Sequence, residues 1–265
     1  MLFCAGLGTR LRPLTDHIPK PAIPFLGRPL VAHTLDWLRA AGVERVVVNL
    51  HHLPQLMRET VLAAASSLEV VFSEEPELLG TGGGLVAARP LFRGDGPILV
   101  VNGDCYYHAP LAPLFESYVA GVADRAGSGG PGGATLASLW ISPDPRYGDI
   151  ANVRSVDGGI VSIAGRPARS GRPALGDTQV SGAYLGVQLI SQRLLDRLPP
   201  SGPSCLRDDG WIPALADGEL LRAVDLGGHA FDLGTPERYM EAHEQQAGGT
   251  AIEPAVARWL RPRAP

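Results

Sequence analysis

Of the 23 basic residues in this 265-residue chain, Lys20 is the single lysine, and it sits between Pro19 and Pro21 in the stretch PLTDHIPKPAIPF. Abundant arginine, glycine and proline with only three asparagines suggest a high-GC coding background, which accounts for scarce lysines. It does not account for where the remaining one sits. An ammonium is a compact, strongly hydrated point charge on a flexible stem, and a guanidinium does not replace it where the space is one phosphate oxygen. Ten residues upstream, Arg10 offers a planar fork suited to phosphate oxygens. Before it, Ala5, Gly6, Gly8 and Thr9 form a turn of small residues directly after an apolar run. Such a turn lets the backbone approach a phosphate chain and aim N–H groups at it. The turn lacks the third glycine of the dinucleotide fingerprint and the G-K-[ST] ending of a Walker loop.

Two carboxylates end apolar runs: Asp104 in VVNGD and Asp232 in HAFDLGTPERY. Carboxylates at strand ends face the ligand crevice of an α/β sheet, and two together suit Mg²⁺ beside a phosphate. Gly80, Thr81 and Gly82, in LLGTGGGL, present side-chain-free backbone against which a base ring can lie, or simply begin a helix. Gly182 in VSGAYLG has the same two readings, with a sugar ring in place of the base. Asp149 follows Tyr147-Gly148 and either meets substrate hydroxyls or starts a hairpin. His51 and His52 are adjacent rather than spaced for one metal, and no G-x-S-x-G elbow or H-E-x-x-H helix occurs. Cys4, Cys105 and Cys205 are too far apart and too few for a disulfide framework or a zinc site.

The elements that must position these residues alternate in period. Short β-branched runs at 44–50, 68–75 and 97–104 are separated by amphipathic segments at 30–42, 54–65 and 82–92. That alternation predicts a parallel sheet with helices on both faces. Gly42 stands where a helix C-terminal glycine belongs, and Pro54 suits a first helical turn. Further on, strands are predicted at 134–142 and 183–190, a hairpin over 149–165 turning at Asp157-Gly158-Gly159, a strand pair over 220–234 and a closing helix over 236–247. The runs from Gly127 and from Ala168 are predicted loops. A net charge of −4 creates no general attraction to nucleic acid or anionic membrane, so phosphate recognition has to be local. No apolar run nears the roughly 20 residues of a bilayer span, and no export signal is visible, so the expectation is a cytoplasmic protein.

On these motifs the chain resembles the sugar-1-phosphate nucleotidylyltransferases. AGLGTRLRPLTDHIPKPAIP, GTGGGL, VVNGD, YGDIANV, VSGAYL and FDLGTPERY follow in that family's order across residues 1 to about 240. The resemblance implies a three-layer, Rossmann-like α/β nucleotidyltransferase fold with a mixed, mostly parallel central sheet. The expectation is one nucleotidyltransferase catalytic domain over 1–247 and a C-terminal tail over 248–265. Catalysis would fall to Arg10 and Lys20, nucleotide binding to Ala5, Gly6, Gly8, Thr9, Gly80, Thr81 and Gly82, and Mg²⁺ to Asp104 and Asp232. Asn102, Asp149 and Gly182 would contact the sugar phosphate. The implied reaction joins an NTP to a sugar 1-phosphate and releases pyrophosphate, with no nucleic-acid or membrane partner and an oligomeric state left open. Two departures stand out. The first strand begins at Met1 and is several residues shorter than is usual in the family, which suggests a truncated start, and Gly165-Arg166-Pro167 stands where relatives carry Glu-Lys-Pro. The TGGG and SGAYL segments are most similar to N-acetylmuramate-1-phosphate uridylyltransferases and short mannose-1-phosphate guanylyltransferases. A cytidylyltransferase acting on phosphocholine or another alcohol phosphate, and a non-catalytic nucleotide-sugar sensor, are the competing expectations.

Overall fold

The run Arg45–Leu50 carries three valines in a row, and every residue from Val46 to Leu50 is buried, the pattern of a strand covered on both faces. The computed structural model describes residues 1–126, 135–144, 147, 153–168, 179–248, 252, 254, 256 and 257. Asp149 and the predicted loops from Gly127 and Ala168 therefore lie outside the described residues, apart from Ala168 itself.

In chain order the strands are β1 (Leu2–Phe3), β2 (Pro24–Phe25), β3 (Arg28–Pro29), β4 (Arg45–Leu50), β5 (Glu69–Glu74), β6 (Ile98–Asn102) and β7 (Cys105–His108). They continue with β8 (Ala137–Ser142), β9 (Val153–Val156), β10 (Gly159–Ile163), β11 (Arg166–Pro167), β12 (Gln179–Ile190), β13 (Leu221–Val224) and β14 (His229–Asp232). The α-helices are α1 (Leu30–Ala40), α2 (Pro54–Ala64), α3 (Gly80–Ala88), α4 (Ala112–Ala126), α5 (Gln192–Leu195), α6 (Ile212–Ala216) and α7 (Pro236–Gln246). Two compact units divide the chain, one of residues 1–78, 102–108 and 229–265, the other of residues 79–101 and 109–228.

In the first unit β4 pairs in parallel with β1 and β5, placing Val48 opposite both Leu2 and Phe72. Helix α1 buries Leu30, Val31, Thr34, Leu35 and Leu38, a stripe at helical spacing, and stops where Gly42 takes φ +84°. Pro54 opens α2 as expected. A two-stranded antiparallel ribbon, β7 with β14, belongs to the same unit. Its core joins Leu11, Leu14, Ile23, Phe25, Leu30, Phe231, Leu233, Tyr239, Ala242 and Val256. Each large apolar side chain buried there contributes about 1.5–3 kcal/mol. Val256 comes from the segment expected to be a tail and is 1% exposed.

In the second unit the long strand β12 runs antiparallel to β6, β8 and β9, while β13 runs parallel to β8. The expected hairpin is present as β9 and β10, joined where Asp157 and Gly158 both take positive φ. The sheet is mixed, but its parallel character belongs chiefly to the first unit. The second is dominated by antiparallel pairing because β12 returns along its neighbours and β9–β10 close by a tight turn. The segment 220–234 forms two strands that do not pair with each other: β13 joins β8 and β10, and β14 joins β7.

Candidate active site

Lys20 opens a 3-10 turn, Lys20–Ala22, that Pro19 enters in an extended conformation. Ala22 N–H donates to the Pro19 carbonyl at 2.8 Å, and Ile23 N–H to the Lys20 carbonyl at 3.1 Å. The side chain leaves this stiff turn inward and is 5% exposed. Gly8 takes φ +61°, and a Cβ there would lie 2.8 Å from Thr15 Cγ2 and 3.2 Å from Lys20 Cβ. Thr15 also donates its hydroxyl to the Gly8 carbonyl at 2.9 Å. Gly8 is thus required by close packing within the loop. Gly6 differs: it is exposed, with no atom within 4 Å of where a Cβ would be. Ala5 is buried, and Thr9 and Arg10 are exposed.

A buried polar chain that the sequence reading missed anchors the start of this turn. Cys4 N–H donates to Asn49 Oδ1 at 2.8 Å, and Asn49 Nδ2 donates to Glu75 Oε1 at 2.7 Å. Both residues are at most 4% exposed. Asn49 is the penultimate residue of β4 and Glu75 directly follows β5, so the sequence signal was a polar residue at or near the close of a strand.

The carboxylates come from the ribbon. Gly103-Asp104 turn between β6 and β7, and Gly103 N–H reaches the Phe3 carbonyl at 2.9 Å. The β7–β14 register sets Asp232 opposite Cys105, beside Asp104. Lys20 Nζ donates to Asp104 Oδ2 at 2.8 Å and to Asp232 Oδ1 at 3.3 Å. Arg238 Nη1 donates to Asp232 Oδ2 at 2.8 Å, and Arg10 Nη2 stands 3.9 Å from that oxygen. Gly234 makes room for this: a Cβ there would fall 2.5 Å from Arg10 Nη2 and 2.8 Å from Asp232 Oδ1.

Charge pairing outweighs burial at both ends of the central contact. Burial opposes the Lys20 charge, yet the attraction of Asp104 and Asp232, with the hydrogen bond to Asp104, raises its pKa above the ordinary 10.5. Burial likewise opposes ionised Asp104, and Lys20 holds that carboxyl below its ordinary 3.8. The neighbouring Cys105 thiol is pushed well above its usual value by burial and by the two carboxylates, so it stays protonated.

No cluster of three or more metal-ligating side chains occurs among the described residues. Asp104 and Asp232 nonetheless converge on one cation, the Lys20 ammonium, so their oxygens already face a common point. Two hard carboxylate oxygens, with the remaining positions left to phosphate and water, is a donor set that fits Mg²⁺. Lys20, Arg10, Asp104 and Asp232, predicted from three separated motifs, are therefore brought together. Arg238 and Gly234 join them without having been singled out.

The remaining predicted residues belong to other settings. Asn102 ends β6, and its carbonyl accepts from Tyr107 Oη at 3.1 Å. In the second unit, Gly80 takes φ +70° and begins α3. Gly82 and Gly83 N–H both donate to the Ser204 carbonyl, at 2.9 and 3.4 Å, and Ser204 N–H donates to the Leu79 carbonyl at 2.9 Å. Thr81 Oγ1 accepts from Leu206 N–H at 2.9 Å. A Cβ on Gly80 would meet the Ser204 carbonyl at 2.6 Å, and one on Gly82 would strike the Ser204 hydroxyl. These glycines are needed to seat the loop against residues 202–204. A Cβ on Gly182 would collide with the Ser142 carbonyl across the β12–β8 pairing, which is also a packing requirement.

The profile of the family described as nucleotidyl transferase matches residues 1–248. The mannose-1-phosphate guanyltransferase of Schizosaccharomyces pombe is 28% identical over 243 residues, covering 91% of this chain and 62% of that relative. The chain thus spans about three-fifths of the length of the curated relatives it matches. Among solved structures, HddC from Yersinia pseudotuberculosis has a TM-score of 0.67 at 20% identity, over 92% of this chain and 97% of that one. The inositol-1-phosphate CTP transferase from T. maritima has a TM-score of 0.67 at 18% identity, over 94% and 96%. At those identities the likeness is one of fold: Rossmann-like α/β with a mixed sheet.

Proposed function

This chain belongs to the nucleotidyl transferase family, and from that premise we propose that it joins an NTP to a sugar 1-phosphate, forming an NDP-sugar and pyrophosphate. The single observation that carries the reading is the buried Lys20 ammonium held between Asp104 and Asp232, with Arg10 beside them. An oxygen of the sugar 1-phosphate attacks the α-phosphorus of the NTP. The bond from that phosphorus to the bridging oxygen breaks, and pyrophosphate leaves with its electron pair. No side chain has to form a covalent bond, so alignment and charge neutralisation supply the catalysis.

Each residue then has a defined task. Lys20 draws two like-charged phosphates together, which water alone does not favour at contact distance. Arg10, 58% exposed and only loosely associated with Asp232, is free to swing onto the departing pyrophosphate. Asp104 and Asp232 would hold Mg²⁺, which when bound neutralises phosphate oxygens and polarises the phosphorus. Gly6, exposed and unobstructed, leaves the backbone after β1 open to phosphate. The loop Gly80–Gly82 would face the base with the backbone not engaged by Ser204, and Asn102, Asp149 and Gly182 would serve the sugar side.

The deciding experiment measures pyrophosphate release with Mg²⁺ from ATP, CTP, GTP, UTP and dTTP against a panel of sugar 1-phosphates and phosphocholine. Release with one NTP and one sugar 1-phosphate is expected. Release only with CTP and phosphocholine would replace the sugar with an alcohol phosphate. Silence across the panel with nucleotide binding intact would leave a sensor, and the catalytic reading would fall.

A further inference from the structure

Among the described residues three cations surround Asp232, and they stand to it in different ways. Arg10 is 58% exposed and 3.9 Å from Oδ2, a loose association. Lys20 is buried and reaches Oδ1 at 3.3 Å. Arg238 is 21% exposed and donates to Oδ2 at 2.8 Å. Its backbone is fixed as well, because Arg238 N–H donates to the hydroxyl of Thr235, the N-cap of α7, at 3.3 Å. Asp104 repeats the arrangement. Its Oδ2 faces Lys20, while its Oδ1 accepts from Cys105 Sγ at 3.7 Å. Each carboxylate turns one oxygen toward the shared cation position and has the other held by a neighbouring donor.

Resting on the metal reading proposed above, we infer that Arg238 is a positioning residue that fixes Asp232 as a one-oxygen donor and so favours a small octahedral cation over a larger one. The reason is coordination chemistry. Mg²⁺ and Mn²⁺ take six ligands in near-ideal octahedra, whereas Ca²⁺ accepts six to eight oxygens and readily uses both oxygens of a carboxylate. A carboxylate whose outer oxygen is tied to a guanidinium does not swing to offer both. Arg238 itself touches no reacting atom in this scheme.

A simple electrostatic role makes a different prediction. Removing a nearby positive charge strengthens binding of every divalent ion alike, so that effect cancels in a ratio between two divalent ions. Loss of positioning changes the ratio. The test is direct binding to the full chain: free Mn²⁺ followed by its EPR signal, with Ca²⁺ as competitor, for wild type, Arg238→Met, Arg238→Gln and Arg238→Lys. In Arg238→Met the Ca²⁺-to-Mn²⁺ affinity ratio should rise about tenfold, the scale at which groups that orient metal ligands act. Arg238→Gln should move in the same direction and keeps the ratio readable if the methionine variant does not fold. Arg238→Lys, which retains a charge and a donor, should stay near wild type. An unchanged ratio in the methionine or glutamine variant, with wild-type binding intact, overturns the inference and leaves the proposed reaction standing. Failure of wild type to bind Mn²⁺ removes the metal reading and this inference with it.

Discussion

A lysine and an arginine carry the same formal charge, but only the lysine at position 20 fits between two carboxylates 2.8 and 3.3 Å away from a stiff turn that leaves it 5% exposed. A guanidinium there keeps the charge and loses the point geometry. Lys20→Arg should therefore reduce turnover by about 100-fold or more, as when a preorganised donor to a developing charge is displaced, with a cooperative thermal melt retained at a modestly lower temperature. Steady-state pyrophosphate release and a thermal melt check both halves, and wild-type turnover in the variant would sink the role. The pairing should not shape the neutral pH profile. Asp104 is shifted below 3.8, so its stabilisation is complete above that value and lost as pH falls through the lowered pKa. Lys20 is shifted above 10.5, so its share is complete below that value and lost as pH rises through the raised pKa. Four residues of this constellation were legible because each ended or followed a recognisable stretch. Arg238, Asn49 and Glu75 were not, because an arginine in a first helical turn and a polar residue closing a strand have many ordinary uses.

At the scale of elements, the site depends on strand register and on how α7 docks. Because β14 pairs with β7 so that Asp232 faces Cys105, a slip of one residue would turn Asp232 to the opposite face. Helix α7 follows directly and is held by Tyr239, whose hydroxyl donates to the Pro24 carbonyl, and by His243 against Phe25. His243 is 4% exposed, its Nε2 has no hydrogen-bond partner among the described residues, and burial lowers its pKa below the ordinary 6.5. Burial lowers His33 as well, whose ring also packs edge-on against Phe25. With both depressed, the unfolded chain binds protons first as the medium acidifies, so stability falls as pH drops below about 6.5. Melting temperature should decline from pH 7 to pH 5, and His243→Phe should make the decline shallower. An equally steep decline in the variant would show that His243 does not contribute.

The whole molecule sets what the site can bind. Among the described residues no helix is long and apolar enough to cross a membrane, and the net charge of −4 leaves phosphate attraction to local groups. A ligand that binds only the folded chain stabilises it, by about 2.7 kcal/mol at a hundredfold excess over its Kd. One NTP, in the presence of Mg²⁺, should therefore raise the melting temperature clearly above the other nucleotides. No shift with any of the five would remove nucleotide binding from the proposal.

Sequence alone determined the α/β class, the order of the first helices and strands, and the four charged residues. Periodicity, turn chemistry and strand-end carboxylates are local signals, readable over a few residues. Tertiary structure decided the rest. The partners of β13 and β14, the tethering of the glycine loop to Ser204 and the hold of Arg238 on Asp232 arise between segments far apart in the chain. No local pattern encodes which distant backbone will approach a glycine or which carboxylate oxygen a guanidinium will take.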